Sequence, residues 1–131
     1  MVGARTGAAG VLLSLVLAGC ASPVQVAPAS LVPLSAPAAD FVVDADVPIR
    51  LSTGYTRTLP AQSHWRAIGS LPQGLVYQPV NTVFAVEGRQ VHEAYLVLQG
   101  KALQGFYLPG EGNFSPLAPP LTLPTTQGGK R

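Results

Sequence analysis

Few side chains in this 131-residue chain are equipped for chemistry, and their spacing limits what they can do. There are two histidines, His64 and His92, and one cysteine, Cys20. A metal site on either histidine needs one or two more ligands, from carboxylates such as Glu93 or Asp44. His92 and Glu93 are adjacent, so on a strand they point to opposite faces and do not share an ion. Both histidines read as partly exposed strand or loop residues, and no metal site is expected. A serine nucleophile requires a base and an orienting acid, and no Gly-x-Ser-x-Gly elbow occurs. Asp40, Asp44 and Asp46 form an acidic cluster of the kind that suggests calcium, but Pro48 follows, and the central Gly and terminal Glu of a calcium loop are missing. They read instead as a solvated strand start. With no catalytic set, the chain is not expected to be an enzyme.

Cys20 is left, and its surroundings give it a different chemistry. Arg5 is followed by an uncharged stretch from Thr6 to Gly19, rich in Val and Leu and ending in small residues. That order is the one found in a secretory signal peptide. A membrane-spanning helix needs roughly 20 apolar residues, more than this run supplies before Ser22-Pro23. Leu17-Ala18-Gly19-Cys20 resembles the lipobox of the prokaryotic membrane lipoprotein class. The resemblance implies cleavage between Gly19 and Cys20, a diacylglycerol on the Cys20 sulfur, and often a further acyl chain such as palmitate on the new amino group. No cofactor is expected beyond that covalent lipid. One acyl chain holds a protein only marginally, whereas two or more anchor it. Because Cys20 is the sole thiol, the same reading excludes a disulfide and a cysteine nucleophile. Ala21 stands where an Asp commonly retains lipoproteins in the inner membrane, so the resemblance implies the outer membrane, facing the periplasm.

Composition divides the rest. Residues 20–39 carry four prolines among Ala, Ser and Val, with no charge and no aromatic ring, and read as a lipid-anchored tether. Residues 115–131 carry four more prolines before Gly128-Gly129-Lys130-Arg131 and read as a disordered tail. Every aromatic side chain lies between them, from Phe41 to Phe114. The expected division is therefore a signal peptide at 1–19, a linker at 20–39, one small domain at 40–114 and a tail at 115–131. Five basic and six acidic residues are scattered through that domain. Nucleic-acid binding calls for a clustered basic face, so it is set aside.

Within the domain the periodicity is that of strands. Val91–Gln99 and Ala102–Leu108 flank Gly100-Lys101, a two-residue hairpin signal. That loop pairs Gln99 with Ala102, Leu98 with Leu103 and Leu96 with Gly105. Ala94, Leu96, Leu98, Leu103 and Tyr107 then share one face, and Tyr95, Val97, Phe106 and Leu108 the other. Both faces are apolar, which calls for a sheet covered on both sides or a small barrel or sandwich. Thr82–Val86, turning through Gly88, is expected to join the same meander. Gly74–Val80 is expected to end or edge the sheet at Pro79. Ser63–Ile68 precedes a 69–74 loop, and Val47–Ser52 is a weaker strand. No stretch has a helical apolar period with a cap. The expected fold is all-β, a single small antiparallel sheet or barrel of about five to six strands, SH3-like or sandwich-like. Trp65, Gly69, Gly74 and Tyr77 ahead of three closely connected strands look somewhat like a bacterial SH3-type barrel. The stretch from His92 to Pro109 looks like small proteobacterial lipoproteins of unassigned function.

Two function classes follow. One is a non-enzymatic envelope lipoprotein, a lipid-anchored β module for protein interaction or envelope assembly, with a membrane and an envelope protein as partners. The other binds a secreted wall-degrading enzyme through the Ser70–Gly74 loop, or a small apolar ligand. Tyr107 and Phe114, in the turn-rich segment after the last strand, are the candidate partner-binding aromatics. In the alternative reading the strand end folds back so that Phe114 plugs the barrel.

Overall fold

The computed structural model describes residues 22–127. The expected signal peptide at 1–19, with Gly19, and Cys20 lie outside those residues. The fold is all-β and antiparallel, and among the described residues there is no helix. The strands are β1 (Ala27–Pro28), β2 (Val32–Pro33), β3 (Phe41–Val43), β4 (Val47–Arg50), β5 (Thr56–Leu59), β6 (His64–Leu71) and β7 (Gly74–Pro79). They continue with β8 (Ala85–Glu87), β9 (Val91–Glu93), β10 (Tyr95–Gln99), β11 (Ala102–Leu108), β12 (Asn113–Thr122) and β13 (Thr125–Gln127). The main sheet runs β1-β12-β11-β10-β7-β6-β3-β13, with β2 also beside β6, while β4–β5 and β8–β9 form separate two-stranded ribbons. The pairing path is open and does not close into a barrel.

The sheet carries an apolar cluster on each face. The inner one gathers Phe41, Trp65, Tyr77, Phe84, Leu96, Leu98, Phe106 and Leu108 with other aliphatic residues. Its rings form a continuous series: Tyr77 meets Phe41 edge-on at 4.8 Å, Phe41 stacks on Trp65 at 6.4 Å, Trp65 meets Phe84 at 5.6 Å, and Phe84 stacks on Phe106 at 6.2 Å. Each such pair contributes about 0.5–1.5 kcal/mol beyond the area it buries. Arg57 from β5 closes the series, its guanidinium 5.5 Å from the Phe84 ring and 3.2 Å from Glu87 on β8. The outer cluster is smaller: Leu71, Val76, Val97, Tyr107 and Phe114. Leu96 and Leu98 face inward while Val97 faces outward, the alternation a strand imposes.

The Gly100-Lys101 hairpin forms, with Gln99 opposite Ala102 and Leu98 opposite Leu103, and Gly100 takes the positive φ of 61° that a Gly-X turn uses. Beyond Leu103 the expected register fails. Gly105 pairs with Val97 rather than Leu96, because a bulge at Gln104 inserts one residue into β11. A one-residue slip turns every later side chain to the other face. Phe106 and Leu108 therefore enter the inner cluster and Tyr107 the outer, the reverse of the expected faces. Gly105 permits the bulge: a Cβ there would collide with the Ser115 carbonyl of β12.

The meander also departs from expectation. The 82–86 stretch forms β8 only from Ala85, and it pairs with β9, in a ribbon separate from the main sheet. The long 91–99 strand is interrupted at Ala94, whose N–H donates to the Phe84 carbonyl instead. Pro79 does end β7, but β7 is interior, paired with β6 on one side and β10 on the other.

Both proline-rich flanks belong to the fold. In the expected tether, β1 pairs with β12 and β2 with β6, while Val24, Leu34 and Ala38 pack on the inner cluster and Ala29 and Leu31 on the outer. In the expected tail, β12 pairs with β11 and β13 with β3, and Leu117 and Leu123 are buried in the inner cluster. Pro119 and Pro120 fit because they avoid the ladder. Leu103 pairs with Leu121 and Gly105 with Pro116, so residues 117–120 leave the ladder: Leu117 turns into the inner cluster, while Pro119 and Pro120 are exposed where no amide proton is needed. The count of thirteen strands, against the five or six expected, comes largely from these flanks and from splitting of the meander.

Candidate functional site

At the end of the sheet where the β6–β7 and β10–β11 turns lie, the open pairing leaves a groove of about 560 Å³. That size falls in the range of small-molecule and peptide sites. Leu71, Leu75 and Leu98 give it an apolar lining, and Phe41 and Tyr77 sit at its base, almost covered at 6% and 9% exposure. Asp40, Ser70, Gln99, Lys101, Thr125 and Gln127 form its polar rim. Lys101 joins the turn to the C-terminal strand: its Nζ donates to the Thr125 carbonyl at 3.2 Å, and its carbonyl accepts from the Leu123 N–H at 2.8 Å. Burial, and secondarily the Asp40 carboxylate, raises the Tyr77 hydroxyl above the ordinary tyrosine range. The groove therefore offers a carboxylate, an ammonium and a protonated phenol around an apolar base.

The histidines are far apart in the pairing and each meets one carboxylate. His64 Nε2 lies 3.1 Å from Asp40 Oδ2, a diagonal contact between β6 and β3. His92 Nδ1 lies 3.1 Å from Glu111 Oε2, linking β9 to the β11–β12 turn. Among the described residues, no group of three or more His, Cys, Asp or Glu is gathered to hold a metal ion. The acidic triplet is dispersed in the same way. Asp44 accepts from the Thr126 hydroxyl at 2.8 and 3.0 Å, fastening β13, and Asp46 accepts from the Ala61 N–H at 2.7 Å.

Tyr107 and Phe114 pair directly across β11 and β12 and are 9% and 7% exposed. They are not an exposed lip. Asn113–Thr122 folds back as a strand, and Ala29 and Leu31 pack against the cluster the two rings belong to. Of the two readings of these rings, the fold-back one describes what forms, although Phe114 fills the outer cluster rather than the inner core. Tyr95 lies beside Tyr107, ring centroids 6.3 Å apart, and burial together with Glu93 raises its hydroxyl despite the hydrogen bond from Gln78. The Ser70–Gly74 loop is likewise reduced, since Ser70 and Leu71 end β6, Gly74 begins β7, and only Pro72 and Gln73 turn.

Sequence reasoning passed over Lys101, Tyr77, Thr125 and Gln127 as groove residues. Lys101 was visible as a turn residue, but its partner Thr125 lies in the segment that composition assigns to the tail. No helix among the described residues is long and apolar enough to cross a membrane. The chain matches no family model, no curated protein and no solved structure.

Proposed function

We propose that this chain is a non-enzymatic lipoprotein of the bacterial cell envelope, anchored by a diacylglycerol on Cys20, that binds an envelope protein through its β module. The observation carrying this reading is the Leu17-Ala18-Gly19-Cys20 box, which places the sole cysteine at the end of a signal-like apolar run. The fold supports it in one respect: a groove with an apolar lining and a polar rim suits recognition. The outer membrane, facing the periplasm, is the proposed address, on the strength of Ala21 after the cysteine.

Cys20→Ser tests the anchor. Lipidation and cleavage are lost, so the variant accumulates at precursor size; mature protein that stays membrane-attached without the thiol overturns the proposal. Lys101→Glu tests the partner surface. In detergent-solubilised envelope the wild-type chain retains a stoichiometric partner and this variant loses it. The groove also favours a second reading, binding of a small apolar ligand or of a secreted wall-degrading enzyme. That reading gains if the purified chain is monomeric and carries a lipid or a soluble enzyme instead.

A further inference from the structure

Residues 22–26 lie against the tips of two hairpins. The carbonyl of Ser22, Thr53 Cγ2 and Val24 Cγ2 converge on Gly88, each 2.9 Å from where a Cβ would stand. The β4–β5 and β8–β9 tips are themselves joined, Thr53 Oγ1 donating to the Glu87 carbonyl at 2.7 Å. Exposed apolar side chains also fall around this junction. Among the described residues the exposed large hydrophobic side chains are Val26, Val32, Tyr55, Val83 and Val91, and three of them belong here. Val26 borders a shallow groove with Arg89, Gln90 and His92, Tyr55 follows the β4–β5 tip, and Val91 follows the β8–β9 tip. Their exposures are 47% for Val26, 45% for Tyr55 and 67% for Val91.

Chain length states what must be near this surface. Cys20 is two residues before Ser22, and two residues span at most about 7 Å. Resting on the lipoprotein reading above, we infer that the joined hairpin tips, with Val26, Tyr55, Val91 and Arg89, form a footprint that sits on the phospholipid headgroup layer. A long tether would leave the body free to tumble. Here the Ser22 carbonyl, two positions from the acyl-bearing residue, already meets Gly88 and Val24 packs on the inner cluster, so the tips are delivered to the bilayer surface. The side chains suit that layer. Tyrosine places its ring at the acyl boundary and its hydroxyl in the headgroups, the valines add apolar area, and Arg89 is placed for lipid phosphate. The groove has no residue in common with this footprint, being lined by the Pro72 and Gly100 turns and β13, so it stays open to a partner while the tips are occupied.

Because lipidation consumes the native thiol, a cysteine introduced elsewhere is the single site for a thiol-reactive fluorophore. Full-length lipidated Val91→Cys, Tyr55→Cys and, as reference, Gln73→Cys are labelled with an environment-sensitive dye. They are then reconstituted into phosphatidylethanolamine–phosphatidylglycerol vesicles containing nitroxide-bearing lipid, and mass spectrometry reads the modification on Cys20. The expected result is blue-shifted emission and several-fold stronger quenching at positions 91 and 55 than at 73. If Cys20 carries lipid and all three labels are equally water-exposed, the footprint is wrong and the anchor stands. If Cys20 carries no lipid, both fall.

Discussion

The two faces of the sheet bury apolar side chains by different means. On the inner face the aromatic series from Tyr77 to Phe106 is contributed by residues of the central domain, and Trp65 at its middle is 1% exposed. On the outer face, Val97, Tyr107 and Phe114 are covered partly by Ile68 and Tyr95 and partly by Ala29 and Leu31, from a segment whose composition is that of a linker. Displacing residues 22–33 would take only Val24 from the margin of the inner core, whereas the outer face would lose Ala29 and Leu31 and keep Ile68 and Tyr95 alone as cover. A proline-rich stretch without charge is therefore not always a spacer. It lacks the donors and the alternation to form a sheet of its own, but two residues at a time it can pair with the edges of one that already exists.

The sharpest way to break this contrast is Trp65→Ala. Loss of the ring at the centre of the inner series is expected to cost about 3–5 kcal/mol, enough to bring a domain of this size close to unfolding. Denaturant titration followed by far-ultraviolet circular dichroism reads it. A loss no larger than that of a surface substitution would show that the inner cluster is not the dominant core.

Gly69→Ala acts on the outer cover alone. A Cβ at Gly69 would stand 2.6 Å from the Val32 carbonyl and 2.8 Å from Leu31 Cδ1, so β2 must lift. Overpacking of this kind costs about 1–3 kcal/mol. The expected signature is protease cleavage within residues 22–33 with the emission of buried Trp65 unchanged. Continued resistance to cleavage would mean that the segment is not held where β2 meets β6.

The smallest effect is the most specific. The raised hydroxyl of Tyr77 keeps its proton in the folded state when an unfolded tyrosine loses it. Its contribution to stability is therefore complete below pH about 10 and is lost as pH rises further. Tyr77→Phe should flatten part of the alkaline fall in melting temperature. Tyr95, raised on the outer face, should retain its own share, and an unchanged alkaline slope in Tyr77→Phe would remove Tyr77 from the base of the groove.

How far the fold could be read from residue order depended on the range of the interactions. The Gly100-Lys101 turn and the two apolar faces are properties of neighbours along the chain, and both were recovered. Register beyond the turn was not, because the bulge at Gln104 depends on Gly105 meeting the Ser115 carbonyl of another strand. The candidate groove was missed for the same reason, since its rim combines Asp40, Lys101 and Thr125 from three distant stretches.

Residue order alone was enough for an all-β chain of short alternating strands, and for one thiol placed where a lipid anchor would need it. Period-two alternation and turn glycines act within a few residues and need no partner to be recognised. The flanks were assigned by packing in three dimensions. Asp44 holds Thr126 across 82 residues of chain, and Ala27 finds Phe114 at the far edge of the sheet. Pairings at that separation depend on which edges the folded sheet leaves open, and proline content carries no information about that.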